Sequence, residues 1–274
     1  MNSKYKALFS LKDKNIIVTG GLGYLGRECV RGLAEFGANI VIVDLYEEPA
    51  KKFAEEITKE YNVAAIGIGC DVSLESDVQT MVQQTVQQLG KIDVLFNNAA
   101  SKSKDLNAFY SSFEDYSLDE WRNVMSVNLD GMFLVAKHTS AEMKKNQEGG
   151  SIIQTSSIYG VVGPDHRIYR NSLFLGREIN SPAVYSASKA GVIGLSTYLS
   201  TYLAKDKIRV NTISPGGLQT GQNEQFIQNY SNRVPLARMG AVEEMVGAVI
   251  FMASDASTYM TGQNIILDGG LTVW

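Results

Sequence analysis

Tyr185 and Lys189 stand four positions apart, in a stretch (183–204) whose apolar residues recur at helical spacing. Residues at i and i+4 share one helix face, so the phenol and the ammonium point the same way. A free phenol titrates near ~10 and is a poor base at neutral pH. A neighbouring ammonium favours the phenolate and lowers that value, which makes the pair a candidate proton acceptor. The same spacing also arises by chance on solvated helix faces. A second chemical feature lies near the other end. Gly20, Gly21, Gly23 and Gly26, with Tyr24 and Leu25 among them, connect a short apolar run (15–19) to a helical one (25–36). Glycines let the backbone turn tightly and approach a pyrophosphate, and the helix start then aims free N–H groups at the anion. Asp44 ends the next apolar run, 18 positions beyond Gly26. A carboxylate there accepts hydrogen bonds from both adenosine ribose hydroxyls and repels a 2′-phosphate, which favours NAD over NADP.

The elements that would hold these groups alternate. Strands are expected at 15–19, 39–44, 63–68, 92–96, 151–155, 208–213 and 264–267, and helices at 25–36, 47–61, 118–145, 183–204 and 242–253. A further helix, capped by Ser73, runs to Leu89. Run 39–44 shows no polar alternation, as a strand buried on both faces requires. Alternating strands and helices imply an α/β domain, a doubly wound, mostly parallel, Rossmann-like sheet of about seven strands with helices on both faces. No repeat, low-complexity tract or linker divides the 274 residues, so one domain is expected over 1–274.

Composition narrows the function classes. The net charge is −4, the chain is 45% hydrophobic, and no run is rich in Lys or Arg, which argues against nucleic acid or an anionic membrane as partner. No apolar stretch reaches membrane-span length and no secretory signal opens the chain, and Cys29 and Cys70 suit a reducing cytoplasm. His138 and His166 belong to no cluster with metal-ligand spacing, so no metal is expected.

Further segments follow in a definite order: Asn97-Asn98-Ala99-Ala100 after the fourth strand, Asn128, Ser156-Ser157-Ile158-Tyr159-Gly160 after the fifth, Tyr185 and Lys189, Pro215-Gly216-Gly217 after the sixth, and Leu267-Asp268-Gly269-Gly270 near the end. With the glycine loop, this pattern resembles the short-chain dehydrogenase/reductase family of single-domain type, over almost the whole chain. The resemblance implies an NAD-dependent interconversion of alcohol and carbonyl. Tyr185 would be the general acid/base, and Ser157 would hold the reacting oxygen. Lys189 would bind the nicotinamide ribose and lower the Tyr185 pKa, and Asn128 would hold a water linking Lys189 to solvent. For the cofactor it implies Gly20, Gly23, Tyr24 and Leu25 at the pyrophosphate and Asp44 at the ribose. Asp71 and Val72 would lie at the adenine, Asn98 and Ala99 at mid-sheet, and Pro215, Gly216, Gly217 and Thr220 over the nicotinamide. A homo-oligomer, tetramer or dimer, joined through the two long helices also follows from the resemblance alone.

The chain departs from that pattern in three places. Tyr24 stands where the loop usually has glycine, and Ala100 where glycine is usual. Ser157 and Tyr185 lie 28 positions apart, much farther than is usual, around an extra segment, 163–182. A loop this long is usually functional or disordered, and this one is bracketed by two residues that must meet the substrate. It carries His166, Arg167, Arg170 and Arg177 against Asp165 and Glu178. His166, Arg167 and Arg170 are therefore candidate ligands for a carboxylate or phosphate on the substrate, against a solvated loop or an oligomer contact. A second stretch, 101–115, with Lys102, Lys104, Phe109, Tyr110 and Phe113, is a candidate pocket wall. Together they favour a small polar, sugar-derived substrate. Run 156–160 with the insertion also resembles a subgroup linked to bacterial surface-sugar and flagellin-glycan synthesis. Two other readings stay open: an epimerase or dehydratase using bound NAD transiently, which would show no net NADH turnover, and a silent dinucleotide-binding scaffold, in which Tyr185→Phe would change nothing.

Overall fold

Seven strands form one sheet: β1 (Asn15–Thr19), β2 (Asn39–Asp44), β3 (Ala65–Gly69), β4 (Val94–Asn97), β5 (Gly150–Thr155), β6 (Ile208–Pro215) and β7 (Asn264–Leu267). Their order is β3-β2-β1-β4-β5-β6-β7 and every pairing is parallel. The structure is a computed structural model that describes residues 4–103, 105–174 and 176–274; Lys104 and the side chains of Arg177 and Glu178 lie outside the described residues. The principal helices are α1 (Tyr24–Glu35), α2 (Glu47–Tyr61), α3 (Glu75–Leu89), α4 (Leu118–Met125), α5 (Met132–Met143), α6 (Ala183–Tyr202), α7 (Glu224–Ser231) and α8 (Val246–Ala253).

Successive strand residues face opposite sides, and here both sides are covered. Ile16, Val18, Ile40 and Ile42 pack with Val30 and Leu33 of α1 and Val249 of α8. Ile17, Val41 and Val43 pack with Val78 and Met81 of α3 and Val135 of α5. That double burial is why β1 and β2 read as unbroken apolar runs. The sheet grows outward in both directions from the β1–β4 pair, so the connections leaving these two strands part and open a crevice at their carboxyl ends. Ligands bind at this point in open α/β sheets.

Three local readings need correction. Residues 118–145 are not one α-helix: a π-helical stretch, Ser126–Gly131, separates α4 from α5. Ser73 does not cap α3; Leu74 holds the cap position, and the Ser73 hydroxyl donates to Asp71 Oδ1 at 2.6 Å. The segment 163–182 is partly ordered, with a 3-10 turn at His166–Tyr169 and a small antiparallel pair between Leu173–Phe174 and Arg177–Glu178. Helix α7 escaped the periodicity reading, although Asn223 caps it by accepting from the Phe226 N–H at 2.8 Å.

β3 shows how closely the layers approach. A Cβ at Gly67 would fall 2.2 Å from Ala50 C and from Lys51 N, so α2 lies directly on this strand. Overpacking of this kind destabilises by roughly 1–3 kcal/mol. Gly67→Ala is therefore expected to lower the urea midpoint correspondingly. An unchanged midpoint would show that α2 yields freely.

Candidate active site

The candidate site is assembled at the carboxyl ends of β1, β4, β5 and β6. Thr19, the last residue of β1, organises the first two. Its buried hydroxyl accepts from the backbone N–H groups of Asn98 (2.9 Å) and Ala99 (3.1 Å) and donates to Asn97 Oδ1 (3.2 Å). Asn97 Nδ2 in turn donates to Gln154 Oε1 of β5 (2.8 Å) and to the Met132 carbonyl (2.9 Å). The turns that must meet a ligand are thus fixed to the sheet by buried polar bonds. Asn97 is legible from sequence only as part of the Asn97-Asn98-Ala99-Ala100 segment, and Gln154 is not, because side chains that bridge strands leave no periodic signal.

Tyr185, Ser157 and Lys189 border one cavity, and Asn128 lies outside its lining. Tyr185 and Lys189 lie in the first two turns of α6, with the Lys189 ammonium 5.9 Å from the Tyr185 ring centroid. Ser157 follows β5, borders the same cavity as Tyr185, and accepts from the Tyr159 N–H at 3.2 Å. Lys189 is 2% exposed and donates to the Thr155 carbonyl at 3.0 Å. Burial pushes its ammonium down to about 8. Burial likewise holds the Tyr185 phenol above its ordinary range, with the Ser157 hydroxyl acting the other way. The expected depression of the phenol by Lys189 is therefore not what governs this arrangement; loss of water outweighs it. Asn128 is fully buried in the π-helical stretch. Its Oδ1 accepts from the Ser101 N–H at 2.8 Å, while its Nδ2 has no protein partner. π-Helical turns often mark functional sites, since the extra residue re-aims side chains.

A cleft of about 1060 Å³ runs along the strand ends. It is lined by Gly20, Gly23, Tyr24, Leu25, Asp44, Asp71, Val72, Asn98 and Ala99. Gly20 has φ +63°, and a Cβ at Gly26 would sit 2.1 Å from the Gly20 carbonyl oxygen, so this loop closes only around glycine. Asp44 accepts from the N–H groups of Leu22 and Leu45, both at 2.9 Å, one on each carboxylate oxygen. Each oxygen keeps a lone pair toward the cleft. Asp71 orders its own turn by accepting from the Ser73 N–H at 3.0 Å. Tyr24 is 69% exposed at the start of α1 and does not block the crevice. The glycine cradle, the strand-end carboxylate and the unpartnered Asn128 amide fit a dinucleotide.

Tyr24, Leu25 and Asn98 also line a second cavity of about 360 Å³ that continues the cleft. Ser157, Tyr185, Lys189, Pro215, Gly216, Gly217 and Thr220 border it, together with Tyr159, Tyr169, Gln222, Phe226, Tyr230 and Met239. The last six were not foreseen as site residues. Tyr230 accepts from the Gly217 N–H, and its ring fills the space that a Gly217 Cβ would need.

His166, Arg167 and Arg170 do not join this group. His166 borders a separate groove, with Phe113, Trp121 and Pro182. Arg167 forms two hydrogen bonds with the Asp165 carboxylate, both at 2.8 Å, and Arg170 is exposed. The insertion reaches the cavity through Tyr169 instead, and Lys189 is the cavity's one cation among the described residues. No cluster of three or more His, Cys, Asp or Glu among the described residues could hold a metal ion, and none of their helices is long and apolar enough to cross a membrane.

Comparison with known proteins agrees with this geometry. Residues 24–272 match the family model described as enoyl-(acyl carrier protein) reductase. The chain is 36% identical over 275 residues to an NADP-dependent mannitol dehydrogenase of Hypocrea jecorina, covering 97% of this chain and 94% of that one. A short-chain dehydrogenase from Leptospira borgpetersenii, solved with bound NAD+, superposes with a TM-score of 0.84 at 33% identity, over 99% of this chain and 97% of its own. A gluconate 5-dehydrogenase from Burkholderia cenocepacia, solved with NADP and tartrate, superposes with a TM-score of 0.86 at 31% identity, over 98% of both chains. The chain belongs to the short-chain dehydrogenase/reductase family and is an NAD(P)-dependent oxidoreductase.

Proposed function

We propose that this protein oxidises a secondary alcohol of a small, uncharged, hydroxyl-rich substrate, or reduces the matching ketone, with NAD as the preferred cofactor. The observation that carries the reading is the cavity in which Ser157, Tyr185 and Lys189 meet, continuous with the Asp44 cleft. Bound NAD would supply the hydride acceptor. Ser157 donates to the substrate oxygen, and the Tyr185 oxygen takes the hydroxyl proton. Lys189 would bind the adjoining ribose, and the Asn128 amide, which has no protein partner, would hold a water that returns the proton toward solvent. Preference for NAD follows from Asp44, whose charge opposes a 2′-phosphate, and from the lining of the cleft, where Lys102 is the one cation among the described residues. The mannitol enzyme among the relatives is named for an uncharged polyhydroxylated compound, as this reading requires. The narrower surface-sugar and flagellin-glycan reading would involve the same hydroxyl chemistry.

The shifts at Lys189 and Tyr185 support the proton role. Each records the burden of burying one charge alone. When the phenol loses its proton beside the ammonium, each charge offsets the desolvation of the other. Before the proton moves, the phenol is neutral and the ammonium bears its desolvation alone, and the electrostatics improve as the reactive pair forms.

Two tests follow. With NAD and a polyol, Tyr185→Phe is expected to lower turnover by at least about 100-fold, the low end of general acid/base contributions, with NAD affinity by calorimetry unchanged. Activity near that of the parent would end the proposal, and product without net NADH would favour an epimerase. The second test is stability. Lys189 is charged below about pH 8 in the folded protein and below about 10.5 when unfolded, so the unfolded state holds more protons between these values. The burden is full at pH 7, about 3 kcal/mol before allowing for the hydrogen bond to Thr155, and fades as pH rises through 8 toward 10.5. Lys189→Met without cofactor is therefore expected to resist urea better at pH 7, by about 1–3 kcal/mol, with the gain shrinking by pH 10. A variant less stable at pH 7 would refute this account of the ammonium.

A further inference from the structure

The extra segment and α7 make a wall for the cavity beside Tyr185. Its polar groups can be assigned one by one. Gln222 is engaged by its own loop: Oε1 accepts from the Thr220 N–H at 2.7 Å, and Nε2 donates to the Leu218 carbonyl at 2.9 Å and to Thr220 Oγ1 at 3.0 Å. The Tyr230 hydroxyl is held by Gly217. Ser157 and Tyr185 belong to the reacting end. Apart from Tyr24 at the cofactor end, two phenols are left, Tyr159 and Tyr169. Their hydroxyls lie near one another, and that of Tyr169 lies near Ser181. A phenol can donate one hydrogen bond and accept two, so the two retain hydrogen-bonding capacity toward a ligand.

Neither ring is loosely placed. Tyr159 lies two residues beyond Ser157, and its N–H is held by the Ser157 hydroxyl. Tyr169 ends the 3-10 turn of the insertion. That turn is fixed to α7 by Asn229 Nδ2, which donates to the carbonyls of Ile168 (3.1 Å) and Arg170 (3.0 Å). Asn223 at the head of α7 donates to the Leu173 carbonyl at 2.9 Å. The Tyr169 ring lies 5.5 Å from Phe226, which lies 5.9 Å from Tyr230. The inserted tyrosine is therefore backed by an aromatic row.

We infer that Tyr159 and Tyr169 are specificity-determining residues: their neighbouring hydroxyls bind hydroxyl groups of the substrate beyond the carbon that reacts, and so select polyols over simple alcohols. The inference rests on the assignment of Tyr185 and Ser157 as the reacting pair. A hydroxyl ligand both donates and accepts, as the two phenols do. Among the described residues, a carboxylate or phosphate would find in this cavity only the cation Lys189, already bound to Thr155 and set beside Tyr185.

The test uses the full-length protein with NAD and two probe alcohols, xylitol and 2-butanol, each assayed for kcat and KM. Tyr159→Phe and Tyr169→Phe keep the rings and remove the hydroxyls. Each is expected to lower kcat/KM for xylitol about tenfold, mainly through KM, as the loss of one hydrogen bond predicts. For 2-butanol kcat/KM should stay within about twofold, with NAD affinity and melting temperature unchanged. A merely structural role would move both alcohols together, and that result, or no change for xylitol, overturns the inference while the Tyr185 reading stands. Parent enzyme that oxidises 2-butanol but no polyol overturns the inference together with the substrate class. Turnover by Tyr185→Phe would instead remove the assignment on which it rests.

Discussion

The buried ammonium of Lys189 is the constraint around which the rest of the site is arranged. Its one hydrogen-bond partner among the described residues is the Thr155 carbonyl, at the end of β5. A charge-assisted bond of this kind contributes about 1.5–3 kcal/mol, less than full burial of an ammonium requires. The fold must therefore hold the charge in place by other means. Gly160 makes this possible: a Cβ there would fall 2.7 Å from Lys189 C, so the turn after β5 lies directly against α6. The Ser156 hydroxyl donates to the Lys189 carbonyl at 2.7 Å, which ties the same turn to the helix. The strand end, the turn carrying Ser157 and the helix carrying Tyr185 thus form one rigid unit.

Stability given up at this unit is recovered in the sheet beneath it. An unpaired buried amide such as Asn128 Nδ2 costs on the order of 1–3 kcal/mol. The strand-end network of Thr19, Asn97 and Gln154 joins polar groups from β1 across β4 to β5, although Gln154 Nε2 has no protein partner. Most polar atoms that position the turns are joined to one another, and those that face ligand retain capacity. Asp44 follows the second rule, since its two backbone partners orient the carboxylate without using all of its lone pairs.

How far the sequence alone could be read follows from the same physics. Strands β1 and β2 matched their expected limits because burial on both faces leaves an unambiguous apolar run; β7 also matched, as a short apolar run that is only half-buried at the sheet edge. The glycine loop, Ser157, Tyr185 and Lys189 were legible because local geometry restricts the residues allowed there. The π-helical stretch was not, because Ser126 to Gly131 keeps an apolar spacing that an ordinary helix would also show; its extra residue is apparent only from the backbone. Arg167 was misleading for a different reason. A cation near a pocket in sequence says nothing about its partner, and Asp165, two residues away, takes up its charge. Tyr169 in the same segment carries no charge to mark it, and the groups that reach the cavity are aromatic and neutral.

The insertion also shows how such a domain can change substrate without disturbing its chemistry. Residues 163–182 leave the sheet after Ser157 and return just before Tyr185, so both ends are anchored on the rigid unit. Between these anchors the segment makes its bonds to α7, through Asn223 and Asn229, and brings no titratable cation among its described residues to the reacting pair. A charged side chain placed there would compete directly with the Lys189–Tyr185 balance, since at an effective dielectric of about 20 a unit charge some 6 Å away contributes about 3 kcal/mol. A neutral phenol adds hydrogen bonding and shape at little electrostatic consequence. Selection by hydroxyl groups is thus the form of specificity that leaves the proton chemistry beside it undisturbed.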